Sequence, residues 1–434
     1  MPPTPSAIRS RTAGTPGSTG NTGRTGKTGS TGAAPPGRVV RPGVLLAVVA
    51  ICTAVTAANI YLAAPLLPLM AHDFGTQPSD LAWLASVSLL GYATGLLFFA
   101  PLGDTANRRR LVGILSVAAT LALAAAAVCS GSVALACALF VAAAASVIPQ
   151  LLVPLVAERA PADRRATHVA AVIAGLFAGV VAARVLGGLV GQAHGWRVVF
   201  VGAAVLTLIL GLTTAALLPA DDRPRHTGPA LAGLARLPQV LKDSPELRRA
   251  CLRQGGMYGA WSAVWTSLAV LLTSGTYSMS TGAAGLFGLL GLSATAVAPL
   301  AGGLVDRFGA ARVTATAYVG AAICLPLFWL GGRQLWALCA AGILIHAALV
   351  ASHVANQTLA LTTTSLPATA NTAYVVAGFA SGAGASALAG SAFTHWGWGG
   401  VCAIATAWLA LGWTTAIRRS GWATAIRRSG GGAA

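Results

Sequence analysis

The sequence places one arginine where a charge is difficult to explain. Arg184 lies in the middle of the apolar stretch from Val169 to Val190, and no acidic residue is near it in the chain. A charge inside an apolar segment is costly unless it is paired or used. We interpret Arg184 as a candidate anchor for an anionic ligand group. The alternatives are that it snorkels to the surface or binds the carbonyls at a helix end.

A second set of polar side chains lies within one predicted helix. His353 and Gln357 follow His346 by seven and eleven residues, so the three share one helix face, with Asn356 beside them. Histidine changes its charge near physiological pH, so this face could carry protons as well as bind a ligand. The alternative is that these side chains only hydrogen-bond a neighbouring helix.

An aromatic stripe forms the third candidate feature. Trp261 and Trp265 follow Tyr258 by three and seven residues, which places all three on one side of a helix. Such a stripe could form the wall of a site for an amphipathic ligand. It could equally pack in the core or lie in an aromatic belt at a membrane surface.

No motif in the sequence predicts catalysis. There is no Gly-x-Ser-x-Gly, His-Glu-x-x-His or Gly-x-x-x-x-Gly-Lys-Ser/Thr pattern. The seven cysteines are scattered, without the pairs that indicate a metal site or a disulfide framework. We therefore predict that the protein is not an enzyme and holds no cofactor and no metal.

Composition indicates the class of protein that positions these residues. The chain is 56% hydrophobic and 9% charged, whereas soluble proteins are about 25% charged. Its apolar residues fall into long runs, and a run of about 18 or more indicates a membrane span. The sequence thus predicts an all-α membrane protein with twelve spans: Val44–Leu67, Leu81–Phe99, Leu111–Cys129, Val133–Val156, Val169–Val190, Val198–Leu218, Ala250–Leu272, Ala283–Val305, Val313–Leu330, Leu335–Ala355, Tyr374–Ala392 and Val401–Ile417.

The spans divide into two groups of six at the longest interior polar stretch. We predict a Thr/Gly-rich disordered tail at 1–42, six helices in 43–218, a linker at 219–249, six helices in 250–417 and a second tail at 418–434. An internal repeat supports this division, because an offset of 202 residues relates Asp104 to Asp306, Arg110 to Arg312 and Gly188 to Gly390. Two parallel halves around a central site are the plan of a rocking secondary transporter.

The repeated joint carries the candidate gate. In each half an apolar run ends in Gly and Asp, and basic residues follow before the next run. A carboxylate there can accept hydrogen bonds from a helix N-terminus and pair with arginine across a closed entrance. We predict a gate formed by Asp104, Arg108, Arg109, Arg110, Asp306 and Arg312; ordinary solvated loop acids are the alternative.

Charge fixes the expected orientation. If the tails and the linker are cytoplasmic, every basic residue lies on that side except Arg184 in a span and Arg197 and Arg333 in opposite loops. The positive-inside rule therefore predicts cytoplasmic termini. This topology, together with attraction to anionic lipid headgroups, accounts for the net charge of +18, so no nucleic-acid partner is predicted.

Four segments of the sequence resemble one family. They are Asn59-Ile-Tyr61-Leu-Ala-Ala-Pro65-Leu-Leu-Pro68, the joint Pro101-Leu-Gly-Asp104-Thr-Ala-Asn-Arg108-Arg-Arg-Leu111, the pair Trp261 and Trp265, and His353-Val-Ala-Asn356-Gln357. Together they are similar to the major facilitator superfamily, and most of all to its bacterial drug or sugar efflux members, which include drug:proton antiporters. Ala100 stands where the family's loop motif usually begins with Gly.

The resemblance implies the major facilitator fold in a bacterial inner membrane, with a cavity lined by spans 1, 4, 7 and 10. It implies export of a small organic molecule; we expect a monomer in the bilayer. We predict a central site of Asn59, Tyr61, Arg184, Trp261, Trp265 and His346, extended by His353, Asn356 and Gln357 on the same helix.

Proton coupling is the last expectation. None of the ten acidic residues lies deep inside a predicted span, and Asn59 stands where many proton-coupled relatives keep an acid. Antiport needs a group that changes its protonation, so His346 and His353 are predicted to carry it. The alternatives are an uncoupled facilitator, an importer of a small metabolite, or a transporter-like sensor that binds without transport.

Overall fold

The computed structural model describes residues 42–159, 161, 165–218, 232–362 and 366–416. They belong to one compact unit that begins at Val40, while a separate unit, Met1–Val39, lies outside the described residues. The tail predicted at 418–434 and the linker positions 219–231 also lie outside them. All regular structure in the described residues is helical.

The first half contains six spanning helices. The apolar runs set their positions, and polar or glycine-containing joints separate them. α1 is bent by 43° between two segments, and α4 is interrupted at Ser146 and Val147. The bounds are Pro42–Ala58 and Ala63–Phe74 for α1, Trp83–Phe99 for α2, Arg108–Val128 for α3, Ser132–Ala145 and Ile148–Arg159 for α4, Arg165–His194 for α5, and Trp196–Leu217 for α6.

The second half follows a short amphipathic linker helix, Ala232–Asp243. α8 is built from three consecutive segments, the middle one a 3₁₀ turn. The bounds are Pro245–Thr273 for α7, Thr281–Leu286, Phe287–Gly291 and Leu292–Phe308 for α8, Ala310–Leu330 for α9, and Leu335–Thr362 for α10. A continuous stretch, Pro367–Ala416, holds α11 and α12, which Gly397 separates with a φ of 59° that a residue with a side chain rarely adopts.

These helices give the twelve predicted spans. Nine helical stretches among the described residues are long and apolar enough to cross a membrane, and the bent pair of α1 adds a tenth. The stretch Thr369–Thr415 contains two helices because of the break at Gly397. α7 is the remaining span. It is less apolar because it is surrounded by protein and not by lipid: its residues from Arg253 to Leu268 are all buried.

Small residues allow the helices to approach closely. A Cβ atom at Gly179 would meet the backbone of Ala54 in α1. One turn further along α5 from Arg184, Gly188 faces the backbone of Thr281 and Gly285 in α8. Close packing of this kind is what associates helices in lipid. The two halves therefore meet along α5 and α8, and also along α2 and α11, where Gly390 faces Ala82.

Candidate functional site

Arg184 lies inside a box of aromatic rings contributed by both halves. Its guanidinium carbon is 5.4 Å from the ring centre of Tyr61, 5.2 Å from that of Trp261 and 5.3 Å from that of Trp265. The residue is only 8% exposed. Each cation–π contact contributes about 0.5 to 2 kcal/mol, whereas burying a charge costs several kcal/mol. The rings thus offset part of the cost but accept none of the guanidinium's hydrogen bonds.

His346 of α10 completes this group on the side of the second half. Its ring centre is 4.6 Å from that of Trp265 in an edge-to-face arrangement. The indole nitrogen of Trp261 donates to Nε2 of His346 at 3.1 Å, and Nδ1 lies 2.7 Å from the carbonyl oxygen of Gly342. An indole N–H only donates and a carbonyl only accepts, so His346 is neutral with its hydrogen on Nδ1. Both ring nitrogens are therefore in use.

Tyr61 reaches this group because α1 bends there. The residue lies in the turn between the two segments of α1, and its hydroxyl is 2.8 Å from the hydroxyl of Tyr258 in α7. Tyr258 also packs against Trp261, with ring centres 5.3 Å apart. We call Tyr61, Arg184, Tyr258, Trp261, Trp265 and His346 the arginine centre. The structure thus brings together five of the predicted site residues and adds Tyr258.

Two small cavities lie against Arg184, each of about 20 Å³. That is room for one water-sized group. Arg184 and Trp265 line both cavities. The first cavity is also lined by Tyr61, Trp261, Ser262 and Thr266. The second is also lined by residues that include Pro65, Leu268 and Phe287. Nη1 of Arg184 and Nε1 of Trp265 are buried and have no hydrogen-bond partner among the described residues. No acidic residue lines either cavity.

Ser262 and Thr266 were not anticipated by sequence reasoning. Each directly follows one of the two tryptophans, and both hydroxyls lie close to the hydroxyl of Ser386 in α11, at 2.8 and 2.9 Å. The available signal was this repeated Trp-Ser and Trp-Thr order along α7, four residues apart. Both residues line the first cavity.

Asn59 does not join the arginine centre. Its amide nitrogen donates to the hydroxyls of Ser146, at the break in α4, and Thr207 of α6, at 3.1 and 3.0 Å. All three residues are buried in the first half. Asn59 thus connects the bend of α1 to two neighbouring helices.

His353, Asn356 and Gln357 form a separate polar group further along α10. The hydroxyl of Tyr374 lies 3.3 Å from Nδ1 of His353 and donates to Gln254 at 2.7 Å. Gln357 donates to Asn371 at 2.9 Å, and Asn356 donates to the carbonyl of Ser352 at 2.9 Å. Every one of these partners belongs to the second half. His353 is about 10 Å along the helix from His346.

The predicted gate residues differ from one another in their contacts and in their exposure. Arg108 binds both carboxylate oxygens of Glu158, at 2.9 and 3.1 Å, and donates to the carbonyl of Gly103 at 2.6 Å. These contacts join α3 to the end of α4 within the first half. Arg109, Arg110, Asp306 and Arg312 have exposed side chains. Asp104 belongs to a short helical turn, Leu102–Thr105; its side chain lies outside what the structure describes.

The described residues contain no group of three or more His, Cys, Asp or Glu side chains that could hold a metal. The arrangement at Arg184 suits reversible binding of a small molecule. It combines one fixed positive charge, two unpartnered donors, flat aromatic walls and two hydroxyls.

The sequence profile of the Major Facilitator Superfamily matches residues 49–386. The chain belongs to this superfamily. It is 70% identical over 375 residues to the probable transporter SCO4007 of Streptomyces coelicolor, covering 86% of this chain and 87% of that protein. It is 31% identical over 372 residues to the uncharacterized transporter YgaY of Escherichia coli O157:H7, covering 85% and 93% of the two chains.

Solved structures share the same fold. A mutant of the nucleoside transporter NupG has a TM-score of 0.70 at 13% identity, over 86% of this chain and 98% of its own. An inward-facing bacterial homologue of the human lysosomal transporter Spinster has a TM-score of 0.63 at 15% identity, over 87% and 95%. The predicted twelve-helix major facilitator fold is confirmed, and the protein is a multi-pass membrane transporter.

Proposed function

We propose that this transporter exports a small organic compound, which it binds at the arginine centre, and that proton movement is linked to the transport cycle. The observation that carries the proposal is the position of Arg184. A buried, fixed charge lies between rings from α1 and α7 and therefore between the two halves. A charge inside a membrane marks a substrate pathway by default.

Alternating access follows from the same arrangement. The contacts of Arg184 with Trp261 and Trp265 cross from one half to the other, as does the hydrogen bond between Tyr61 and Tyr258. When the halves rock, these contacts separate and the small cavities widen. The halves move on two surfaces, formed by α5 against α8 and by α2 against α11. Small residues such as Gly188 and Gly390 keep the paired helices close to each other.

His346 is the group that links protons to the site. A proton on Nε2 would face the indole hydrogen of Trp261, so it would replace an attraction by a repulsion. The side chains that contact this histidine are Trp261 and Trp265 of α7, and α8 approaches it with Gly291. Arg184 of α5 lies against the same two tryptophans. Protonation therefore rearranges the arginine centre. His353 lies in its separate group and has no such contact.

The protein lies in a bacterial inner membrane with both termini in the cytoplasm and works as a monomer. The distribution of basic residues supports this orientation. The gate proposed for the cytoplasmic side consists of Asp104, Arg108, Arg109 and Arg110 in the first half, with Asp306 and Arg312 in the second.

Reconstitution tests the proposal. The candidate substrates are compounds that accumulate less in a strain producing the protein than in its parent strain. Each is tested with proteoliposomes that contain the protein and a pH-sensitive dye. We expect substrate movement accompanied by a change of internal pH, abolished in Arg184→Gln and retained in the control Arg333→Gln, which alters an exposed arginine. Movement without a pH change would indicate an uncoupled facilitator. Binding without movement would indicate a sensor.

A further inference from the structure

We infer that the compound bound at the arginine centre carries an anionic group, most simply a carboxylate, and that this group binds to Nη1 of Arg184 and Nε1 of Trp265. The inference rests on the proposed function, because it names the substrate class of the same site. It excludes the cationic compounds that many efflux proteins carry, since Arg184 is a fixed positive charge in the cavity wall.

Two hydrogen-bond donors beside the cavities have no partner among the described residues. Nη1 of Arg184 and Nε1 of Trp265 are both buried without a hydrogen-bond partner among the described residues, and both residues line the two cavities. Neither group can accept a hydrogen bond. Buried donors are nearly always satisfied, so each orphan needs an explanation. Two donors at one cavity call for an acceptor with at least two lone pairs.

Among the described residues, no charge at the site compensates that of Arg184. The hydroxyls of Tyr61 and Tyr258 are bonded to each other, and His346 is neutral with both nitrogens engaged. The faces of Trp261 and Trp265 lie against the guanidinium, and the other residues that line the two cavities are apolar except for Ser262 and Thr266. No carboxylate among the described residues lines either cavity. A negative group supplied by the ligand would accept from both donors and offset the charge of Arg184.

The size and shape of the two cavities also fit an anionic group. Each cavity of about 20 Å³ holds one water-sized group, which matches a carboxylate oxygen and not a whole organic molecule. The body of the ligand must enter the space that opens when the halves separate. The walls of that space are the faces of Tyr61, Trp261 and Trp265, so a flat apolar body suits them.

An anionic substrate also determines whether the proton moves with the substrate or against it. A proton on His346 adds positive charge next to Arg184, and an anion neutralises it. Proton and substrate then favour each other's binding and leave the site together. Antiport, which the sequence favoured, needs the two to compete. An anionic substrate at this site therefore predicts export together with a proton.

Binding to the purified, full-length protein in lipid nanodiscs tests the inference without any transport assay. The probes are benzoate and its neutral and cationic counterparts, benzamide and benzylamine, with acetate, succinate and inorganic phosphate at matched ionic strength. Intrinsic tryptophan fluorescence and thermal unfolding report binding. We expect at least one carboxylate to bind, with the amide and amine at least about tenfold weaker, because a charge-assisted hydrogen bond is lost.

The variants assign the donors. Arg184→Gln is expected to abolish carboxylate binding, and Arg184→Lys, which keeps the charge, to weaken it. Trp265→Phe is expected to weaken it about tenfold, because it removes one donor and keeps the ring. Arg333→Gln is the control and should bind normally. If Arg184→Gln does not fold, the other two variants still decide the question.

Three results would overturn the inference. They are benzylamine or benzamide binding as tightly as benzoate, phosphate binding while no carboxylate binds, and carboxylate binding that survives both Arg184→Lys and Trp265→Phe unchanged. Failure of every probe to bind would also overturn it. Carboxylate binding by a protein that moves no substrate in proteoliposomes would keep the anion site and remove the proposed function, so the two can fail separately.

Discussion

The hydroxyl of Tyr61 lies 2.8 Å from the hydroxyl of Tyr258, and this hydrogen bond joins the first half of the transporter to the second. It lies beside Arg184, whose contacts cross between the halves at the same level. We therefore expect occupancy of the proposed site and separation of the halves to be coupled through adjacent atoms.

We expect Tyr61→Phe to favour the state in which the halves are separated at this level. A neutral hydrogen bond contributes about 1 kcal/mol, so the ratio of the two states should change about fivefold. Distances between spin labels on α1 and α7 measure this ratio. Tyr277→Phe is the matched control, because the hydroxyl of Tyr277 donates at 2.7 Å to Gly331 within the second half. An equal effect of both substitutions would contradict the prediction.

Trp261→Phe tests the link between the indole and the histidine. The variant keeps a ring against Arg184 but removes the N–H that occupies Nε2 of His346. A proton can then bind without facing a donor, so the pH at which transport is half-maximal should move upward. Tyr277→Phe is the control for this profile, since the hydroxyl of Tyr277 bonds Gly331 and not His346. A profile that shifts equally in both variants would rule out this role for Trp261.

His346→Gln and His353→Gln separate the two histidines of α10. We expect the first to uncouple proton movement from substrate movement, because it alters the arginine centre. The second alters only contacts with Tyr374 in the other polar group, so it should leave the stoichiometry of protons to substrate unchanged. Dye-loaded proteoliposomes measure that stoichiometry. Loss of coupling in His353→Gln alone would reverse the assignment.

Gly188→Val tests the surface on which the halves move. Gly188 lies near the end of α5 opposite the described chain ends, against the backbone of Thr281 and Gly285. A side chain there should hold α5 and α8 apart and prevent closure on that side, which reduces transport while the fold survives. Labelling of single cysteines from that side should increase. Gly202→Val in α6 is the control, since its Cβ would meet nothing within 4 Å; equal labelling in both would count against the prediction.

Asn59→Ala should act on stability and not on affinity. The substitution leaves Ser146 and Thr207 without their amide donor in a buried region of the first half. We expect a loss of about 1 to 3 kcal/mol in the free energy of unfolding, which lowers the temperature of unfolding in detergent. Ligand binding at Arg184 should be retained. A variant with normal stability and lost binding would return Asn59 to the substrate site.

The sequence predicted the helices and much of the arginine centre, and there are physical reasons why it could. Membrane spans leave long apolar runs, so an arginine among them is conspicuous, and helical spacing places Trp261 and Trp265 together. Small residues spaced along α5 are similarly visible in the sequence, and the contact of Gly179 with α1 shows the close packing that they allow.

The same reasoning was least informative where chain geometry decides contacts. Whether Asn59 faces the cavity depends on the bend that follows it in α1, and its partners lie 87 and 148 residues away. His346 and His353 share a helix face, but α10 passes different neighbours along its length. The first therefore meets α7 tryptophans and the second meets Tyr374 of α11.

The burial of α7 has a consequence for how the protein is made. A segment enters the lipid from the translocation channel more readily the more its own side chains favour lipid. α7 is enclosed by other helices and rich in glycine, serine and aromatic side chains, so it has little such preference. Its neighbours α10 and α11, which pack on it, must therefore stabilise it in the bilayer. A nascent chain that stopped after α7 would lose the helix that carries Trp261 and Trp265, and the second half becomes a stable membrane unit only once those neighbours have been synthesised.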